Sequence, residues 1–289
     1  MKKKEFDIAV LGGDRRQICM AEEFSRQGYQ VCVYFPLDLH PQKDAAYIYM
    51  DSAKECMEKA PVLAAGIPLI KAGGKVNGTE EKAEELLCFL EKGQHFFAGC
   101  IPLEIKKKIE QQGAVTHDLM EKKSVAVFNS IATAEGILAE AITRSDVNLN
   151  KSKCLVLGYG ICGKTLVSYL SRLFCQVTVF ARREKQRAEA AVLADRVLCY
   201  GELSKHMGEF DFIFNTVPAL ILGEEELKKV SDQTRIFDLA AYPGGIDWKA
   251  AKKLGIQADS YPGLPGKYAP RSCGKELVRQ MIQELKEFQ

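Results

Sequence analysis

Several things are scarce in this sequence, and each scarcity excludes something. There is no excess of one charge: 40 Lys and Arg stand against 38 Asp and Glu, a net charge of +2. No global basic field draws in nucleic acid, although local basic groups can still hold a small anion. Thiol motifs are missing although thiols are not. Cys19, Cys32, Cys56, Cys88, Cys100, Cys154, Cys162, Cys175, Cys199 and Cys273 form no CxxC pair and cluster with no histidine, so no metal site is expected. Most lie in apolar runs such as VCVYF, KCLVLG and LLCFL. They read as reduced, buried small hydrophobes, which fits a cytoplasmic setting. No apolar run approaches the roughly 18 residues of a membrane span, so no membrane association is expected. The start, MKKKEFDIAVLGG, is basic and then apolar, but Asp7 interrupts the run and Gly12-Gly13 end it. A secretory core needs about 7–15 apolar residues and a cleavage site, so this segment reads as a first strand.

What is present is ordinary globular sequence. The 289 residues are 47% hydrophobic and 27% charged, and at roughly 100–200 residues per domain they make one large domain or two ordinary ones. Strand and helix patterns alternate throughout. The first half reads FDIAVLGG (strand), Arg16 to Arg26 (helix), QVCVYF (strand) and PVLAAG (third strand). GTEEKAEELLCFLEKG reads as a helix capped by Thr79, followed by the strand HFFAG, a helix opened by Pro102, and the strand AVTH. In the bridge, VAVFN is strand-like and SIATAEGILAEAITRS helix-like. The second half gives strands at KCLVLG, QVTVFAR, DFIFNTVP and RIFDLA, and helices at Gly160 to Leu173, KQRAEAAVLA and GIDWKAAKKLG. SYPGLPGKYAP reads as a Pro/Gly-rich loop, and the last segment as an amphipathic helix with Leu277, Met281 and Leu285 on one face. Alternation of this kind implies parallel pairing and a layered α/β fold.

The strongest chemical signal is Gly158-Tyr159-Gly160-Ile161-Cys162-Gly163. It directly follows a strand and opens a helix, with a second strand within about 30 residues. Gly158 permits the tight turn, Gly160 lets the backbone approach a pyrophosphate, and Gly163 allows close helix–strand packing. The N–H groups of Ile161 and Cys162 at the helix start suit the anion. The second strand ends in Ala181-Arg182-Arg183, with no Asp or Glu to take the ribose hydroxyls. A guanidinium there can hold a 2′-phosphate, which points to NADP rather than NAD. A solvated charge run is the plain alternative. Asn215-Thr216-Val217-Pro218 and Asp238-Leu239 close later strands. Ligands bind outside the carboxyl ends of parallel strands, so these residues should face the nicotinamide side. Ordinary turn chemistry is the alternative. The first half has its own glycine turn, Gly12-Gly13-Asp14-Arg15-Arg16-Gln17. It lacks GxGxxG and suggests no second dinucleotide, but a helix start with arginine suits a small carboxylate. A capped surface helix is the alternative.

Taken together these pieces resemble the A subunits of dipicolinate synthase from spore-forming bacteria, almost end to end. The likeness rests on IAVLGGDRRQ, FNSIATAEGILAEAI, LVLGYGICGKTL, VFAR, FNTVP, DLAAYPGGIDW and PGLPGKYAP, in that order. The resemblance implies two domains with a formate/glycerate-dehydrogenase-like arrangement. One is a flavodoxin-like or Rossmann-like domain over 1–128, with the helix 271–289 returning to it. The other is a Rossmann domain over 129–270. It implies NADP-dependent oxidation of dihydrodipicolinate, or its hydrated tetrahydro form, to dipicolinate. It also implies that the partner is a flavoprotein-like B subunit, that the setting is sporulation in the mother-cell cytoplasm, and that a homodimer is one expected assembly. By the same resemblance Asp14, Arg16 and Gln17, Asn129, Ser130, Thr133 and Glu135, and Pro243, Gly244, Gly245 and Asp247 match family pieces. Two departures stand out: Ala132 occupies an expected proline position, and Ala241-Tyr242 replaces Ser-Arg. If that arginine grips substrate elsewhere, another cation must do so here, with Arg271, Arg16 and Lys267 as candidates.

The implied chemistry needs hydride and proton removal from a dianionic ring. Cationic clamps suit the carboxylates, with Arg16 the first candidate, and Gln17, Ser130 and Thr133 complete the substrate set. The general base is left open among Asp14, Glu135 and His117. A D-2-hydroxy-acid dehydrogenase is the nearest rival, but it needs a histidine in a late loop. The four histidines here, His40, His95, His117 and His206, all lie elsewhere. A non-catalytic NADP-binding protein of the same complex is the rival of another class.

Overall fold

A computed structural model describes residues 4–35 and 46–287; His40 lies outside them. Two compact units divide the chain, Met1–Phe128 with Ala269–Gln289, and Asn129–Tyr268.

In the first unit the strands are β1 (Ile8–Leu11), β2 (Val31–Tyr34), β3 (Ile48–Tyr49), β4 (Val62–Ala64), β5 (His95–Ala98) and β6 (Val115–Asp118), and the helices are α1 (Arg15–Arg26), α2 (Ala53–Glu58), α3 (Ala83–Leu87) and α4 (Leu103–Gln111). The sheet order is β3-β2-β1-β4-β5-β6, with every pair parallel. Of the two orders expected, this is the Rossmann one and not the flavodoxin one. Along β1, Ile8 and Val10 join one core cluster while Ala9 and Leu11 join the other. Apolar residues on both faces are what a sheet covered by helices on both sides requires.

The helix α5 (Lys123–Thr143) starts in the first unit and continues into the second. The second unit contains β7 (Lys153–Leu157), α6 (Ile161–Arg172), β8 (Gln176–Phe180), α7 (Glu184–Ala190), β9 (Arg196–Leu198), α8 (Leu203–His206), β10 (Phe212–Asn215), α9 (Glu224–Leu227), β11 (Arg235–Asp238), α10 (Trp248–Leu254), β12 (Gln257–Ser260) and α11 (Leu264–Tyr268). Its order, β12-β11-β10-β7-β8-β9, is the same parallel arrangement read from the other edge. Ala134, Ile137, Leu138 and Ala141 of α5 pack with Leu166, Val167 and Leu170 of α6 on one face. Leu203, Leu227, Ala250 and Ala251 cover the other. The last helix, α12 (Pro270–Glu287), belongs to the first unit and packs on α1. Leu277 and Met281 are buried there with Met20 and Phe24, and Leu285 packs at the margin. Each such side chain contributes roughly 1.5–3 kcal/mol by leaving water.

Several expectations need correction. VAVFN is helical, the start of α5. Its β-branched residues suggest a strand, but the tertiary packing of a long helix overrides local propensity. That same helix is apolar and long enough, by length and composition, to cross a membrane, with 56% of the qualifying window buried inside the protein. The helix expected over 78–93 is confined to Ala83–Leu87 and has no side-chain cap. Thr79 is 3% exposed and donates its hydroxyl to the Val76 carbonyl. PVLAAG forms the fourth strand, because the two-residue β3, exposed and without alternation, precedes it. SYPGLPGKYAP contains the end of β12 and all of α11, whose first turn tolerates Pro265. Finally, Cys88 in LLCFL is exposed, as is Cys100, while Cys32, Cys56, Cys154, Cys175 and Cys273 are buried.

Candidate dinucleotide-binding site

In the second unit β7 and β10 meet at the point where strand order reverses. Ligands of open parallel sheets bind in that crevice, beyond the carboxyl ends of the strands. Gly158 leaves β7 at φ +94°, a conformation that favours glycine. A side chain there would also strike Thr216 Oγ1 at 2.7 Å and Val217 Cγ2 at 2.8 Å. A Cβ on Gly163 would lie 2.3 Å from the Gly158 carbonyl oxygen, so this glycine serves close packing. Gly160 differs from both: a Cβ there would meet nothing within 4 Å.

Gly160 is the N-cap of α6 and offers no side-chain hydrogen bond to the helix. The first backbone bond of the helix runs from Lys164 N–H to the Gly160 carbonyl. The preceding N–H groups of Ile161, Cys162 and Gly163 have no intrahelical acceptor by geometry, and a pyrophosphate suits them. Ile161 is exposed and Cys162 half-buried. Burial pushes the Cys162 thiol up, so it is not an activated nucleophile.

The end of β8 forms the next wall. Ala181 is buried, and Arg182 and Arg183 are exposed. Arg187 donates to the carbonyls of Ala181 at 3.1 Å and Arg182 at 2.7 Å, fixing the turn that presents them. Gln186 ties α7 back to the Tyr159 carbonyl at 3.3 Å. On the other side of the crevice, Thr216 donates to the Leu157 carbonyl at 2.8 Å, and Pro218 is exposed. Asn215 and Asp238 are in register on β10 and β11, fully buried, and bonded to each other at 2.8 Å. Leu239 is half-buried, its N–H on the Asn215 carbonyl.

The remaining residues singled out from the sequence fall in two places. In the first unit, Asp14 caps α1 and forms a capping box with Gln17. Arg16 is 2% exposed, donates to both Asp14 oxygens and reaches the Ile67 carbonyl. Gln17 is fully buried and bonded to the Asp14 N–H and the Ala65 carbonyl. His117 bonds His95 at 2.9 Å and Glu284 at 2.7 Å, holding α12 against β6. Arg271 is an exposed residue of α12.

In the second unit, Ser130 shares a hydrogen bond with Thr165 at 2.7 Å and Thr133 donates to the Asn129 carbonyl. Glu135 is exposed and accepts from the Tyr169 hydroxyl at 3.1 Å. Lys267 pairs with Glu140, and Asp247 caps α10. Sequence reasoning missed Glu140. The contacts of Lys267, Tyr268 and Arg144, opposed by burial, draw its carboxyl down to about 2. Helical spacing from Glu140 to Arg144 was the one available signal.

This geometry defines a class: an α/β protein with two parallel-sheet units of Rossmann strand order, the second carrying a glycine turn at the point where its strand order reverses. The fold is shared with D-lactate dehydrogenase of Escherichia coli (13% identity, TM-score 0.61, covering 98% of this chain and 96% of that one). Within the class the chain is similar to the dipicolinate synthase A subunits. Residues 7–120 match the family model for the N-terminal domain of the dipicolinate synthase A subunit. The chain is 36% identical over 171 residues to the dipicolinate synthase A subunit of Bacillus subtilis (strain 168), covering 59% of this chain. The matched stretch spans 58% of that relative's length. The crystal structure of the dipicolinate synthase A subunit from Bacillus halodurans superposes with TM-score 0.85 at 25% identity, covering 98% of this chain and 99% of that one.

Proposed function

We propose that this chain is an NADP-dependent oxidoreductase that converts dihydrodipicolinate, supplied directly or by dehydration of its hydrated tetrahydro form, to dipicolinate. One observation carries the reading. The uncapped start of α6 and the two exposed arginines after β8 follow adjacent parallel strands at the same end of the sheet, in a chain similar to the dipicolinate synthase A subunits. The bound nicotinamide would take the hydride, and the ring would lose one further proton. The chain's part is to hold and orient. Gly158, Gly160, Ile161, Cys162 and Gly163 receive the pyrophosphate, with Ala181, Arg182 and Arg183 at the 2′-phosphate. Asn215, Thr216, Pro218, Asp238 and Leu239 shape the nicotinamide side.

For a substrate carboxylate the first unit offers the exposed Arg15, since the β1–α1 turn itself is closed by its own side chains. Arg16 is already engaged with Asp14, so it orders the turn, and the exposed Arg15 stands beside it. Asp14 is committed to the cap and to Arg16, and His117 to His95 and Glu284, which leaves Glu135, exposed beside Tyr169, as the candidate base. Ser130 ties α5 to Thr165 of α6, and Thr133 bonds back to the Asn129 carbonyl within α5. A flavoprotein-like B subunit is the proposed partner, and the mother-cell cytoplasm the proposed setting. The test is an absorbance assay with enzymatically generated dihydrodipicolinate and NADP⁺ or NAD⁺, with and without the partner. Formation of NADPH and dipicolinate in equal amounts supports the reading. Cofactor binding without product in either mixture overturns it.

A further inference from the structure

The loops that follow β10 and β11 are knitted around one buried carboxylate. Asp238 is 1% exposed, and Asn215 is wholly buried. Oδ1 of Asp238 accepts from Asn215 Nδ2 at 2.8 Å and from the Ala240 N–H at 3.1 Å, and Oδ2 accepts from the Gly245 N–H at 3.2 Å. Asn215 in turn donates to the Val217 carbonyl and accepts from the Val217 N–H, both at 3.1 Å. The Gly245 carbonyl takes the N–H groups of Ile221 and Leu222, closing one loop on the other. A Cβ on Gly245 would lie 2.3 Å from Asn215 Nδ2, and one on Gly244 would lie 2.8 Å from Asp238 Oδ2. The chain gives up side chains at both glycines to wrap this group.

The three hydrogen-bond partners of Asp238 are neutral donors. A set of donors and no acceptor matches an ionised carboxylate. Among the described residues its charge is therefore held by dipoles and is not cancelled by a neighbouring cation. The position matters because a Rossmann unit binds a dinucleotide in two halves. The glycine turn and β8 serve the adenosine half, so β10, β11 and their loops serve the nicotinamide half. The nicotinamide ring is cationic when oxidised and neutral when reduced. A fixed negative charge beneath that half interacts with one redox form and hardly with the other.

We propose that Asp238, clamped by Asn215, is a positioning group whose uncancelled charge makes this site bind the oxidised dinucleotide more tightly than the reduced one. The inference rests on the reading of the second unit as a nicotinamide-dinucleotide site. It gives that site a direction: it loads with the hydride acceptor and lets the reduced product go.

Trp248 is the only tryptophan in the chain, and its Nε1 lies 4.0 Å from the Cβ position of Gly244. Its fluorescence therefore reports on this loop. The experiment titrates the full-length chain with NADP⁺ and, separately, NADPH, following Trp248 emission and calorimetric heat. The wild type should bind NADP⁺ roughly tenfold more tightly than NADPH. Asp238→Asn should bring the two affinities together, mainly by weakening NADP⁺. Asn215→Ala keeps the charge, so it should weaken both forms and leave their ratio in place. Equal wild-type affinities overturn the proposal, even if Asp238→Asn does not fold. So does an Asp238→Asn protein that loses both forms in proportion. A wild type that binds neither form overturns the dinucleotide reading itself.

Discussion

The two units share one strand order, and one difference between them lies at the start of the helix that follows the first strand. Each sheet runs 3-2-1-4-5-6 in its own numbering, and each sends its first strand through a glycine turn into a twelve-residue helix. In the second unit that helix begins at Gly160 with no side-chain cap and open space above it. In the first, Asp14 and Gln17 cap α1, and Arg16 neutralises Asp14. The crevice beside it is filled by the chain itself. Asn77 and Thr79 are buried, and a Cβ on Gly78 would lie 2.3 Å from both the nitrogen and the oxygen of Gly13. The same architecture thus presents an anion cradle in one unit and a sealed turn in the other. A parallel sheet supplies the crevice, but whether a ligand can use it depends on what the chain places there.

The largest effect expected from this contrast is on stability. Gly78→Ala should cost the first unit about 3 kcal/mol, since it combines a backbone collision with φ +78°. Chemical denaturation measures it, and an unchanged midpoint would mean the crevice is not filled as described. Gly160→Ala should do the reverse. Its stability should match the wild type, while dinucleotide affinity by calorimetry falls roughly thirtyfold. A loss of stability with affinity intact would make Gly160 a packing glycine like Gly163. Asp14→Ala should cost about 1–2 kcal/mol through the lost cap, an effect with no counterpart at Gly160. The double change Arg182→Ala and Arg183→Ala should reduce the preference for NADP over NAD roughly tenfold without moving the melting temperature. An unaltered preference would return both arginines to the solvated surface.

The smallest difference concerns pH. Burial, with His117 beside it, lowers His95 from its ordinary value of 6.5. Its neutral form is favoured in the fold, so that contribution is present above about 6.5 and is lost as the unfolded chain takes up protons below it. Glu140 in the second unit is drawn down to about 2 from 4.5, chiefly by Lys267, so its contribution persists to about pH 4.5 and fades towards 2. Because Lys267 and Arg144 are exposed, that contribution is only about 1 kcal/mol. Hydrogen exchange across pH 7 to 4 should show α12 and β6 loosening before α5 and α11. Simultaneous loosening would break the distinction.

Some of this was legible in the residues because the cause is local. Glycines at 158, 160 and 163 behind an apolar strand specify a turn that only a few ligands fit. Leu277, Met281 and Leu285 repeat at helical spacing and are found on one packed face. Where the cause is remote, the sequence misleads. β3 is two exposed residues whose strand character comes only from pairing with Cys32 and Val33. Val125, Val127 and Phe128 read as a strand by propensity, and they are helical because the segment beyond them is one long packed helix. Thr79 reads as a cap, and it is buried because a crevice needed filling.

The sequence by itself determined the alternation of strand and helix, the glycine turn and the arginines that end β8. Each follows from side-chain size, charge or backbone freedom within a few residues. Only the tertiary structure decided which of two similar crevices stays open. It also decided that Arg16 is enclosed with Asp14, and that Asp238 is buried against Asn215 across neighbouring strands. Those outcomes depend on groups far apart in the chain competing for the same hydrogen bonds and the same space, and no local pattern records who wins.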